Sequence, residues 1–234
     1  MRVQDQPAYI LHHRAFRDTS QILEVITPDY GRLSLMSRGS RGAKSRLKSI
    51  LQPFRPLIVS WSGKGEMPTL TGAEPQTVKT ITLTGKALPS AFYVNELIIK
   101  LLHKHDVHES VYRLYESVIR LLADKHEIEP ILRLFEKQLL EELGFGLNLS
   151  VNAETGEAVL SDDEYAYYLE HGPVAISSVH DESYILKLSG KSLIDLDENT
   201  LDNIQSLKDA KRLMRVVLNY YLEGKPIKSR ELFR

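Results

Sequence analysis

Eleven consecutive residues, Arg38-Gly39-Ser40-Arg41-Gly42-Ala43-Lys44-Ser45-Arg46-Leu47-Lys48, carry five cationic side chains and no acidic one. The chemistry such a stretch offers is phosphate neutralisation. Arg and Lys displace the counterions condensed on a polyanion, an interaction that needs positive charge more than fixed geometry. Two glycines and two serines predict a loose backbone that follows a charged surface. Arg14, Arg17 and Arg32 extend the same field if the strands before the loop place them nearby. Phe16, Phe54 and Trp61 are candidate platforms for stacking unpaired bases, although the core of a small barrel needs the same large apolar side chains.

Other chemistry is weakly supported. His103, His105 and His108 read as the end of a helix, where helical spacing sets His103 and His105 about 200° apart and leaves only His105 and His108 on one face. No second imidazole stands at the i+4 spacing of metal-binding helices, so a surface helix end is expected and a metal site is not. Asp162, Asp163 and Glu164 lack the alternation and glycine of a calcium loop and read as a solvated turn. Gly63-Lys64-Gly65, Ala43-Lys44-Ser45 and Gly144-Phe145-Gly146 are too short for a phosphate-cradling loop, and no Gly-x-Ser-x-Gly occurs. Without cysteine there are neither disulfides nor thiolate chemistry, and a reducing compartment is compatible. An active site would have to be built from parts the sequence does not advertise, and no metal or cofactor is expected.

The formal net charge of −1 conceals an asymmetry. Residues 1–80 hold twelve Lys and Arg against six Asp and Glu, whereas the remainder is acidic. A basic module beside an acidic one suits polyanion binding joined to a second task. Neither an apolar leader nor a run of about 18 apolar residues is present, so a soluble cytoplasmic protein is expected.

The elements that must carry the loop are short strands. Ala8 to His12, Gln21 to Thr27 and Arg32 to Ser37 precede it, with Pro28-Asp29-Tyr30-Gly31 as a turn. Leu57 to Trp61 and Met67 to Ala73 follow. Five strands with a longer interruption between the third and fourth match a small Greek-key barrel that takes oligonucleotides on an open face; an SH3-like barrel has the same strand count. Beyond Leu83 the period becomes helical. Helices are predicted from Pro89 to near Asp106, through Val111 to Leu122, and from Pro130 to a stop at Gly144, their stripes forming one bundle over 84–146. Residues 147–184 read as an irregular insertion with a small hairpin. A last helix runs from Leu201 to Leu222, with Thr200 as its cap and Gly224 past its end.

Tyr9-Ile10-Leu11-His12-His13-Arg14, Gly31-Arg32-Leu33-Ser34, the basic loop followed by Gln52-Pro53-Phe54, Tyr93-Val94-Asn95-Glu96-Leu97, Leu143-Gly144-Phe145-Gly146 and Gly224-Lys225-Pro226-Ile227-Lys228-Ser229-Arg230 follow one another across nearly the whole chain. In this the sequence resembles the bacterial RecO family of recombination and repair proteins. The resemblance implies an α+β chain: a five-stranded OB-fold barrel at 1–80 that binds DNA, then an α-helical C-terminal domain at 81–234 with a small irregular insertion at 147–184. It further implies binding of single- and double-stranded DNA, annealing of complementary strands, and work with RecR to load RecA onto DNA coated by single-strand-binding protein. The acidic C-terminal tail of that coat protein is expected on the helical domain, where Val118, Arg133 and Leu143 resemble the tail pocket and Arg133 suits a carboxylate. A monomer is expected.

One departure is plain. Many relatives carry a four-cysteine zinc site after the Leu-Gly-aromatic-Gly motif, whereas this insertion has no cysteine, so packing or hydrogen bonds must hold it. Two other readings of the residues stay open: an OB-fold protein for single-stranded RNA, since the same charges suit it, and a metal-dependent nuclease built on the acidic clusters.

Overall fold

The computed structural model describes residues 1–78, 81–124, 126–179 and 184–233. The chain divides into two compact units, one of residues 1–126 with 227–234 and the other of residues 127–226.

The first unit is built on a closed barrel of strands β1 (Arg2–Phe16), β2 (Ser20–Thr27), β3 (Gly31–Ser37), β4 (Leu57–Ser62) and β5 (Thr69–Pro75), in the order β1-β2-β3-β5-β4. Alternation makes it. Leu23 and Val25 of β2 lie opposite Leu35 and Leu33 of β3, and these side chains meet Ala8, Ile10, Leu57, Val59 and Trp61 in the interior. The β2–β3 turn closes where the Thr27 hydroxyl accepts the Tyr30 N–H at 3.1 Å and donates to the Gly31 carbonyl at 3.2 Å. β1 is much longer than the expected Ala8 to His12. Register shifts between Val3 and Gln6 and between Ile10 and His12 bend it, so its first half pairs with β4 and its second with β2, which closes the ring. Polar Gln4, Asp5 and Gln6 and the following Pro7 hide that extension from an apolar pattern. β3 meets β5 in parallel at Met36 and Thr69, which completes the OB arrangement.

Helices α2 (Ala87–Leu101) and α3 (Glu109–Ala123) belong to this unit, and α2 packs on β1 and α3 on β2. α4 (Ile128–Glu142) belongs to the second unit and packs against α6 (Ile204–Tyr221). The single bundle expected over 84–146 is therefore not formed: periodicity sets which face is buried, not what buries it. α2 also ends at Leu101, earlier than expected, so His103, His105 and His108 lie in the connection to α3 and the helical-spacing argument about them does not apply. Gly144 does follow α4, with a φ of +83°.

The small hairpin expected within residues 147–184 is present, and a third strand and a helix that follow the insertion extend it. β6 (Glu164–Tyr168), β7 (Gly172–Ala175) and β8 (Leu186–Ser189) form an antiparallel sheet in the order β7-β6-β8, and α5 (Gly190–Asp197) follows directly. Side-chain hydrogen bonds hold its approach: Asn148 Nδ2 donates to the Val151 carbonyl at 2.8 Å, and Tyr165 Oη accepts the Leu160 N–H at 2.8 Å. α5 and α6 are joined by buried polar contacts, Ser206 Oγ to Asp195 Oδ2 at 2.6 Å and Ser192 Oγ to Asp209 Oδ2 at 2.9 Å. The cap of α6 is Asn203, not Thr200; its Oδ1 accepts the Gln205 N–H at 2.7 Å. No helix among the described residues is long and apolar enough to cross a membrane.

Candidate nucleic-acid interface

The basic segment leaves β3 at Ser37 and ends in the short helix α1 (Leu47–Ile50). It is more ordered than its glycines and serines suggest. Successive tight turns are closed by Gly42 N–H to Gly39 O at 3.2 Å, Ser45 N–H to Gly42 O at 2.9 Å and Lys48 N–H to Ser45 O at 3.2 Å. Ser40 is fully buried and donates to the Ser37 carbonyl at 3.2 Å, while Leu51 enters the barrel core. Both ends are thus anchored, and Arg38, Arg41, Lys44, Arg46 and Lys48 are all exposed.

The loop is fastened to the β1–β2 turn. Arg41 donates its backbone N–H to the Thr19 carbonyl at 2.8 Å, and its Nη1 reaches the carbonyls of Arg17 at 3.1 Å and Asp18 at 3.4 Å. Arg17 is exposed, holds a left-handed φ of +53°, and sets its guanidinium 5.3 Å from the Phe16 ring centroid. Arg14 is exposed on β1. Burial first, then the neighbouring His12, hold His13 below the ordinary histidine range, so it is neutral near pH 7 and adds nothing to this field. Arg55, absent from the candidates drawn from sequence, is exposed and donates to the Ser49 carbonyl at 3.1 Å. Its position just past the loop, after Gln52-Pro53-Phe54, was the available signal.

The outer face of β1, β2 and β3 is closed. An open face there was the expectation, since OB barrels take oligonucleotides on it. Here Tyr9, Leu11, Ile22 and Ile26 are buried beneath α2 and α3. The Tyr9 ring stands 5.0 Å from Tyr115 and 5.7 Å from Tyr112, its hydroxyl donates to Glu116 at 3.1 Å, and Asn95 Nδ2 donates to the Leu11 carbonyl at 2.7 Å. Burial first, and then the Glu116 charge, push the Tyr9 phenol far above its usual range and keep it a donor. Along β3 the same face is covered by the 102–106 connection: His105 N–H donates to the Arg32 carbonyl at 2.8 Å and Lys104 Nζ to Ser34 Oγ at 2.5 Å. Arg32 itself turns inward, donating to Glu24 Oε2 at 3.0 Å and to the Leu102 carbonyl at 2.9 Å, and does not join the exposed cations.

Trp61 and Phe54 are buried, Trp61 against Tyr30 at 5.1 Å and Phe54 against Phe92 at 5.0 Å. Their places are in the core; Phe16 alone of the three stays partly exposed. Val118 is buried in α3 of the first unit, whereas Arg133 and Leu143 belong to the second. Arg133 Nη2 donates to Glu136 Oε1 at 2.6 Å, both side chains buried. Asp162 and Asp163 lie in the turn before β6, and Glu164 pairs with Lys187 at 2.5 Å. Among the described residues no three His, Cys, Asp or Glu side chains converge on a point that could hold a metal ion.

Comparison with known proteins covers both units. Residues 1–78 match the family described as Recombination protein O N terminal, and residues 83–231 the family described as Recombination protein O C terminal. The chain is 43% identical over 232 residues to the DNA repair protein RecO of Nitrosococcus oceani, spanning 99% of this chain and 93% of that one. It is 39% identical over 234 residues to the protein of the same name from Azoarcus sp., spanning all of this chain and 96% of the relative. Its identity to the Coxiella burnetii DNA repair protein RecO is 41% over 231 residues, 99% of this chain and 98% of that one.

Proposed function

The chain belongs to the RecO family of DNA repair proteins, and from that premise we propose that it is a non-catalytic, monomeric mediator that binds single- and double-stranded DNA and anneals complementary strands. With RecR it helps load RecA onto single-stranded DNA coated by single-strand-binding protein. One observation carries the DNA-binding half of this reading. Five exposed cations sit on an ordered loop with no carboxylate among residues 37–48, anchored at both ends. Because the outer face of β1, β2 and β3 is covered by the chain's own helices and the 102–106 connection, phosphates meet the protein at the loop and the β1–β2 turn rather than on that face of the sheet. The second unit is then free to recruit the acidic tail of the coat protein, with Arg133 as the residue suited to its carboxylates.

The direct test is annealing of complementary strands coated by single-strand-binding protein, comparing full-length coats with coats lacking the tail. Annealing of tailed coats, slowed or abolished when the tail is removed, is the expected result. No annealing of bare strands would overturn the reading. Phosphate contacts alone do not separate DNA from RNA, so competition between matched oligonucleotides is the accompanying measurement.

A further inference from the structure

Arg41 is not placed like the other cations of its loop. Lys48 bonds within the loop, its N–H to the Ser45 carbonyl, whereas Arg41 gives its main-chain N–H and its guanidinium to three consecutive carbonyls outside it, those of Arg17, Asp18 and Thr19. Those carbonyls belong to the β1–β2 turn, which crosses from one strand to the next through the left-handed Arg17. We propose that Arg41 is a positioning residue that clamps the basic loop onto the β1–β2 turn, so that Arg17 and the loop cations present one continuous surface to a phosphate backbone. This rests on the reading of the loop as the phosphate-contacting surface and adds to it which cation organises the others.

The chemistry of the side chain supports the assignment. Both side-chain bonds come from one nitrogen, Nη1, whose two N–H groups are held in the rigid guanidinium plane; an ammonium is a compact point charge on a shorter, freely rotating head that serves a phosphate equally well but does not hold its donors in a fixed plane. Each bond is partly exposed and individually weak. Their sum on three adjacent carbonyls is what fixes the turn against the loop. Asp18 shows why the fixing matters: it is the one carboxylate among residues 14–20, and its carbonyl is held while its neighbour Arg17 is drawn over the Phe16 ring. Released, the turn would no longer keep Arg17 beside the loop.

The two roles predict different outcomes. A plain phosphate contact tolerates Arg41→Lys, because the charge remains. A clamp does not. Binding of a labelled oligothymidylate by the full-length protein is expected to weaken about tenfold for both Arg41→Lys and Arg41→Ala, the size of losing one or two charge-assisted hydrogen bonds. Arg17→Ala is expected to weaken binding in the wild-type background and to do nothing further in the Arg41→Ala background. Amide exchange without DNA supplies a readout independent of affinity: segments 17–20 and 38–48 are expected to exchange faster in both Arg41 variants, with the β2 and β3 ladders unchanged. Wild-type affinity and wild-type exchange in Arg41→Lys would overturn the clamp. Should the wild-type protein bind no oligonucleotide, the phosphate-surface reading fails, and the exchange comparison still decides whether Arg41 holds the two segments together.

Discussion

Arg32 Nη1 lies 3.0 Å from Glu24 Oε2, across the β2–β3 pair on the outer face of the barrel. With Nε also given to the Leu102 carbonyl and only 11% of the side chain exposed, the guanidinium is engaged inside the fold. Arg32→Ala is accordingly expected to lower unfolding free energy by about 2 kcal/mol, as for hydrogen bonds to charged groups, and to leave the salt dependence of DNA binding unchanged. Urea unfolding and a salt titration check the two halves. A slope reduced by roughly 0.7, one phosphate contact on a single strand, would place Arg32 in the interface after all.

The exposed cations carry the opposite expectation. Replacing Arg38, Lys44, Arg46 and Lys48 together by Ala should reduce the slope of log Kobs against log salt by roughly 0.7 for each phosphate no longer neutralised on single-stranded DNA, across unrelated sequences, with stability unchanged. A salt titration on two oligonucleotides of different sequence measures it.

These two cases show what the sequence could and could not reveal. The charge run was legible because it is local, and β2, β3 and β4 were legible within about a residue because alternation and turn residues are local too. Arg32 looked identical to its neighbours in sequence. Its partners, Glu24 on the adjacent strand and Leu102 seventy positions later, exist only once the chain is folded. The same is true of the covering of Tyr9, Leu11, Ile22 and Ile26: the apolar outer positions on β1 and β2 were visible, but not that α2 and α3 would take them. β8 escaped because four residues carry too little alternation to be read as a strand.

Gly31 tests that covering. It has a φ of +60°, and a Cβ there would stand 1.9 Å from the Asp106 carbonyl oxygen, so the 102–106 connection lies directly on the backbone. Gly31→Ala is expected to cost at least about 2 kcal/mol, combining left-handed strain with displacement of a backbone neighbour. Thermal unfolding reads the cost. Faster exchange of the His105 amide, which donates to the Arg32 carbonyl, localises it.

Glu96 gives the first unit an acid-sensitive contact. Its carboxylate accepts the N–H groups of Lys228 at 2.9 Å and Ser229 at 2.7 Å, fastening the C-terminal segment to α2. Burial alone would raise its pKa, but the Ser229 and Lys228 donors and the nearby Lys100 outweigh burial and hold it below the ordinary 4.5. A carboxyl depressed in the folded state binds protons less readily there than when unfolded. Its stabilisation is therefore complete above pH 4.5 and disappears as pH falls from there through the lowered native value. Unfolding free energy measured against pH should fall through that window, and Glu96→Gln should flatten the fall. A profile with the wild-type slope in Glu96→Gln would assign the acid sensitivity elsewhere.

Arg133 demands a test that separates folding from recognition. Its Nη2 is 2.6 Å from Glu136 Oε1 and both side chains are buried, so Arg133→Ala removes a cationic partner from a buried carboxylate and is expected to cost about 3 kcal/mol whatever else Arg133 does. Weak tail binding by that variant would say little. Replacing both residues by apolar ones of similar volume, Arg133→Met with Glu136→Leu, is expected to stay within about 1 kcal/mol of wild type, because well-packed apolar substitutes for a buried ion pair are often neutral. If Arg133 receives the acidic tail of single-strand-binding protein, this folded double variant should bind a tail peptide about tenfold more weakly, the worth of one charge-assisted hydrogen bond. Titration of the peptide against the variant, with unfolding measured on the same sample, decides it. Undiminished binding at undiminished stability would leave Arg133 as the structural partner of Glu136 and move the tail's carboxylates to another cation of the second unit.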